Sequence, residues 1–241
     1  MVVMQIRADL TASQDEVWNR LSLAGTWLTG DERVNVAREV RGVADCELCK
    51  ERKAALAPNT VQGEHLESAP MPASRRELIH KLVSDPGRIA RAWVDTLLAE
   101  MTDTEYVEVA GLVSAILVVD TFHAALGMPL RDLPTPQPGT PNRQRPLTAA
   151  DEGAYVPMVP VDGLQGDYAD LYDLPNWVPN VHRAFSLVPA ATRTADVLMQ
   201  THYFPYEVVP RYTDADHEYA INKMQMELLA SRVSMHNDCF Y

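Results

Sequence analysis

The sequence predicts an all-α fold, and three observations carry that prediction. Thr29-Gly30-Asp31-Glu32 and Thr102-Asp103-Thr104-Glu105 are capping boxes, in which a threonine and a glutamate three residues on satisfy backbone donors that a helix start leaves unpaired. Helix stops follow them at Gly42 and at Gly127 with Pro129, where glycine takes up the end of a helix and proline cannot continue it. The stretch between the helical parts, 128–163, holds eight of the seventeen prolines, a density that excludes a central strand as well as a continuous helix.

The elements follow in order. Val34, Ala37, Val40 and Arg41 recur at helical spacing behind the first box, which predicts a helix over 31–41. Asp45 then reads as the cap of a short helix that carries Cys46 and Cys49 on one face and stops at Pro58. Asp85-Pro86 starts another helix through Trp93, Leu97 and Leu98, because proline suits the first helical position. The second box opens a long apolar helix ending at Gly127. The proline-rich segment reads as an extended connection, dividing the chain into a lobe over 1–127, the connection over 128–163 and a lobe over 164–241. In the last part 184–188, 195–199 and 218–233 read as helices.

At 241 residues, 46% hydrophobic and 22% charged, the chain can bury a sizeable core. A net charge of −12 argues against nucleic acid and anionic membranes as partners, since such binding needs clustered lysine and arginine. Met1 to Ser13 carries no basic-then-apolar leader pattern, and the longest uninterrupted apolar run, Ala115 to Val119, is short for a membrane span. A cytoplasmic location is expected. Three cysteines, two of them in Cys46-Glu47-Leu48-Cys49, suit a reducing compartment.

Cys46 and Cys49 have the spacing of a dithiol pair that can close a disulfide, and Lys50 and Lys53 would depress their pKa. Zinc would need two more ligands; the nearest candidate, His65, lies beyond Pro58 with no partner motif beside it, so neither a metal nor another cofactor is expected. Asp120 and His123 stand one turn apart on the long apolar helix that also carries Glu108. A carboxylate-oriented imidazole is feasible there, but polar groups in such a helix more often satisfy one another and define packing than form a site. Met224, Met226, Leu228 and Leu229 read as core or subunit interface.

At the other end, Glu227 lies in an apolar run and Cys239 follows twelve residues later in His236-Asn237-Asp238-Cys239-Phe240-Tyr241. A cysteine just past an Asn-Asp capping pair is easier to ionise. This arrangement resembles the alkylhydroperoxidase D-like and carboxymuconolactone decarboxylase superfamily, whose motif is a glutamate, eleven residues, then Cys-x-x-Cys-x-x-x-His. Against that motif the chain ends one residue short of the second cysteine. A shift of 119 residues sets Glu108 on Glu227, Asp120 on Cys239 and His123 on the absent cysteine, as in a degenerate internal copy.

The resemblance implies a helical homo-oligomer acting as a thiol peroxidase. Glu227 would relay a proton, Cys239 would be the resolving cysteine and His236 would assist; the substrate is a hydroperoxide and the reductant a dithiol protein. The same resemblance leaves open a decarboxylase-like enzyme on a small carboxylated substrate. A non-catalytic helical protein that senses redox state or oligomerises is the third expectation.

Overall fold

The computed structural model describes residues 5–172, 178–206 and 220–237. Among these the regular structure is helical, and the one β feature is an isolated bridge between Ala150 and Met158. The helices are α1 (Ala8–Ser22), α2 (Gly30–Gly42), α3 (Glu47–Ala54), α4 (Ala73–Ser84), α5 (Arg91–Leu98), α6 (Asp103–Ala125), α7 (Asn180–Arg183), α8 (Pro189–His202) and α9 (Lys223–His236). The all-α prediction holds. Thr29 and Glu32 form the reciprocal capping box that starts α2, and Thr102 caps α6 through the Glu105 amide.

Helix α6 is the axis of the fold, with α2, α4 and α8 packed around it. Val107, Val109, Val113, Ile116 and Val119 are buried along it, so its apolar surface is removed from water by neighbouring helices at about 25 cal/mol per Å2. By length and composition α6 is long and apolar enough to cross a membrane. The sequence reading missed this because it measured uninterrupted apolar runs, which Gly111, Ser114 and Asp120 break up. The chain leaves α6 at Gly127, whose φ of +65° favours a residue without a Cβ.

Residues 128–146 of the proline-rich segment carry no helix or strand, and the elements before and after it share one core. Leu187 and Val188 pack with Leu28, Val34, Leu78 and Ile116, while α8 also packs on α1.

Several elements differ from the sequence reading. Asp45 does not cap α3: it closes a 3-10 turn over Val43–Asp45, and Cys46 itself occupies the cap position, with no side-chain cap bond. Asp85-Pro86 opens a single 3-10 turn, and a separate helix, α5, begins at Arg91. The turn has a clear use. Asp85 holds Arg88, whose guanidinium donates to the Arg52, Lys53 and Ala55 carbonyls at the end of α3, where a cation suits the helix dipole. Residues 184–187 form a turn between α7 and α8, where a helix was expected. Helices α1 and α4 carry no capping box, and the sequence reading did not find them.

Candidate metal centre

Four side chains from three parts of the chain converge beside α3. Cys46 and Cys49 are one helical turn apart and face the same side. The chain then crosses 61–72 without regular structure and brings in His65, and α4 contributes His80. One ligand atom from each of Cys46, Cys49, His65 and His80 lies within 4.8 Å of the others. Both thiols are free and buried, and His80 is wholly buried.

The His65 separations fit a tetrahedral ion, and the His80–Cys49 separation is slightly shorter. With Zn–S near 2.3 Å and Zn–N near 2.0–2.1 Å, ligand atoms around one zinc stand about 3.3–3.8 Å apart. His65 Nδ1 is 3.5 Å from both Cys46 Sγ and Cys49 Sγ, and His80 Nδ1 is 3.1 Å from Cys49 Sγ. Both imidazoles therefore turn Nδ1 inward.

Their outward nitrogens are held by carboxylates. His65 Nε2 is 2.8 Å from Glu77 Oε2, and His80 Nε2 is 2.9 Å from Glu39 Oε1. Such partners fix the ring orientation and raise the basicity of a metal-ligating histidine. Each carboxylate is anchored in turn. Glu77 accepts from Arg52 and from the Trp93 indole. Glu39, fully buried, accepts from Arg76 and from the backbone N–H groups of Ser68 and Ala69. The Leu66 amide donates to Cys46 Sγ at 3.4 Å, so the loop that delivers His65 also supports a sulfur.

The electrostatics of the unmetallated cluster favour a thiolate. Burial pushes the Cys46 thiol up, but hydrogen bonds from the Leu66 amide and His65 outweigh it and lower its pKa. Burial likewise opposes charging His65; hydrogen bonds to Cys49, Glu77 and Cys46 overcome it and raise the imidazole to about 10. Burial lowers His80. The Asp45 cap expected from the sequence plays no part in this.

Glu77 is lowered to about 2, since bonds from His65, Trp93 and Arg52 outweigh the burial that opposes its charge. A depressed carboxyl pKa contributes stability above its unfolded value, 4.5, and that stability is lost as pH falls toward about 2. In metal-free protein, the loss of melting temperature between those pH values should therefore be shallower in Glu77→Gln than in wild type. Parallel pH profiles for the two would show that Glu77 carries none of the acid sensitivity.

The other sequence-predicted residues do not join this cluster or one another. Glu108 is buried against Arg33, and Asp120 pairs bidentately with Arg41 at 2.8 Å. His123 lies between the Gln14 side chain and the Pro129 carbonyl. The trio on α6 thus makes three separate contacts with other parts of the chain, where the sequence reading has such groups satisfying one another. Glu227 is half-buried on α9, with Lys223 Nζ 3.7 Å away, and His236 is exposed in the last turn. Cys239 lies outside the described residues. Met224, Leu228 and Leu229 are exposed on α9, so among the described residues they are not core. Lys50 pairs with Glu47 at the surface.

Sequence reasoning missed His65 and His80 as a ligand pair. Cys46-x2-Cys49-x15-His65 matches the first part of the spacing that marks a Cys2His2 zinc site, but His80 follows His65 by fifteen residues, where that pattern places its second histidine four to six residues on. The usable signal was the Cys-x2-Cys-x15-His spacing itself. No family model matches the chain, and neither a curated protein nor a solved structure matches it.

Proposed function

We propose that this chain is a zinc-binding protein whose Cys2His2 centre clamps α3, the 61–72 segment and α4 together. The observation that carries the reading is the convergence of Cys46, Cys49, His65 and His80 on one point, with a carboxylate behind each imidazole. Two thiolates and two imidazoles in tetrahedral array select zinc among the common ions. With all four positions filled by protein, the ion has no open site for water or substrate, so its role is to hold structure. Because the thiols and His65 must give up protons to bind it, affinity falls as pH falls.

Purified protein is expected to carry close to one zinc per chain by elemental analysis, and Cys49→Ser to carry little. Wild-type protein that stays metal-free after equilibration with zinc, while remaining folded, would sink the proposal.

A second reading, thiol peroxidase chemistry at Cys46–Cys49 in the metal-free state, is favoured by the lowered Cys46 pKa beside a charged His65. In it, one thiolate takes the terminal oxygen of a hydroperoxide, and the alcohol leaves with a proton from His65. The second thiol then displaces water from the sulfenic acid to form the disulfide, which a dithiol protein reduces. This moves the chemistry expected of Glu227 and Cys239 to the other cysteines. Zinc distinguishes the two readings, since a bound ion should slow oxidation of both thiols.

A further inference from the structure

A second site lies apart from the metal centre. A cleft of about 240 Å3 opens between α1, the 23–25 turn, α2, α6 and α8. Its walls are largely apolar, with Leu21, Leu112, Ile116 and Val188 among them. Its charge is unlike that of the chain: Arg20, Arg33 and Arg193 line it against one carboxylate, Glu108, in a protein of net charge −12.

Glu108 is already neutralised. It is 1% exposed, pairs with Arg33 and accepts from the Trp27 amide. The other two arginines are bound at the surface. Arg20 donates to Glu16 and to the Thr194 hydroxyl, and Arg193 to Asp170 and to the Asp167 carbonyl; both carboxylates are about half or more exposed, and ion pairs of that kind contribute little. Arg20 and Arg193 thus line an apolar cleft whose one buried carboxylate, Glu108, is already paired with Arg33. In addition, the buried Nε of Arg33 makes no hydrogen bond among the described residues, a donor that folding ordinarily satisfies.

We propose that this cleft binds an amphiphilic carboxylate, with its apolar body against Leu21, Leu112, Ile116 and Val188 and its carboxylate on Arg20 and Arg193. Guanidinium and carboxylate match in geometry and charge, which makes such pairs about twice as strong as neutral hydrogen bonds. The size follows from the volume: a cavity of about 150 Å3 takes benzene, so 240 Å3 suits a ligand of about ten heavy atoms. A medium-chain fatty carboxylate meets both requirements.

The test is calorimetric titration of the full-length, zinc-equilibrated chain with octanoate, and with 1-octanol as the neutral comparator. Octanoate should bind at one saturable site, about 10-fold or more tighter than octanol. Arg20→Gln with Arg193→Gln should abolish that preference while leaving octanol binding in place. Ala190→Trp, at the exposed rim, should block both ligands. Circular dichroism and melting temperature establish that each variant is folded. Three results would overturn the proposal: no saturable octanoate binding to folded wild type, equal binding of octanol and octanoate, or octanoate binding that survives Ala190→Trp.

Discussion

Removing zinc from the chain should lower its melting temperature by about 8–16 °C. Saturating a site at about 1,000 times its Kd stabilises the folded state by about 4 kcal/mol, and in a chain of this size each kcal/mol moves the midpoint by about 2–4 °C. The loss should begin locally. Leu21, Leu28, Val34 and Ile116 remain packed without the ion, whereas the ion would itself join Cys46, Cys49 and His65 to His80 of α4, beside the Arg52–Glu77, Arg76–Glu67 and Arg76–Ala69 hydrogen bonds. Amide exchange should therefore accelerate first in α3 and 61–72. Glu77→Gln keeps all four ligands but weakens the hold on His65, and should lower zinc affinity by about 10–100-fold. Scanning calorimetry with and without chelator measures the first effect, and competition with a zinc indicator the second. A midpoint unchanged by chelation would mean that the cluster is not a metal centre.

The sequence carries only part of this centre: Cys46, Cys49 and His65 stand at metal-site spacing, and His80 does not. The fold was legible where local chemistry decides it: Thr29 with Glu32, Thr102 with Glu105, Gly127 and the prolines of 128–163 act on backbone groups a few residues away. Helices α1 and α4 are held instead by packing on α2, α6 and α8, and Arg7 and Pro72 at their starts make no side-chain cap bond. A propensity argument has little to read there. Cys46 and Cys49 were visible as a pair because three-residue spacing on a helix implies one face. His65 and His80 join them only through the path of 61–72, which Glu39 fixes from α2 by accepting from two of its amides. That is a long-range contact: the spacing of Cys46, Cys49 and His65 fits a metal site, but nothing in it announces His80. The Asp45 assignment failed for the opposite reason: a local rule was applied correctly, but a 3-10 turn absorbed the aspartate.

Arg33→Met should destabilise the protein by about 3–5 kcal/mol, the usual cost of leaving a buried charge without its partner. Glu108 sits at 1% exposure on the central helix, and Arg33 is the charge that neutralises it. The surrounding chain is shaped to the pair: a Cβ on Gly25 would collide with Glu108 Oε1 and with an Arg33 terminal nitrogen. With Arg33 gone, the carboxylate keeps the Trp27 amide but loses its counter-charge, so the folded state must bury the charge or protonate it. The double variant Arg33→Met/Glu108→Leu should recover most of the loss, because replacing a whole buried pair by apolar groups of similar volume is often close to neutral. Urea denaturation at pH 7 measures all three states in one double-mutant cycle. If Arg33→Met alone stays within about 1 kcal/mol of wild type, the pair is dispensable to stability. If the double variant is no better than the single, the loss comes from Arg33's packing and its hydrogen bond to the Arg20 carbonyl, and the charge itself is not what the fold must balance.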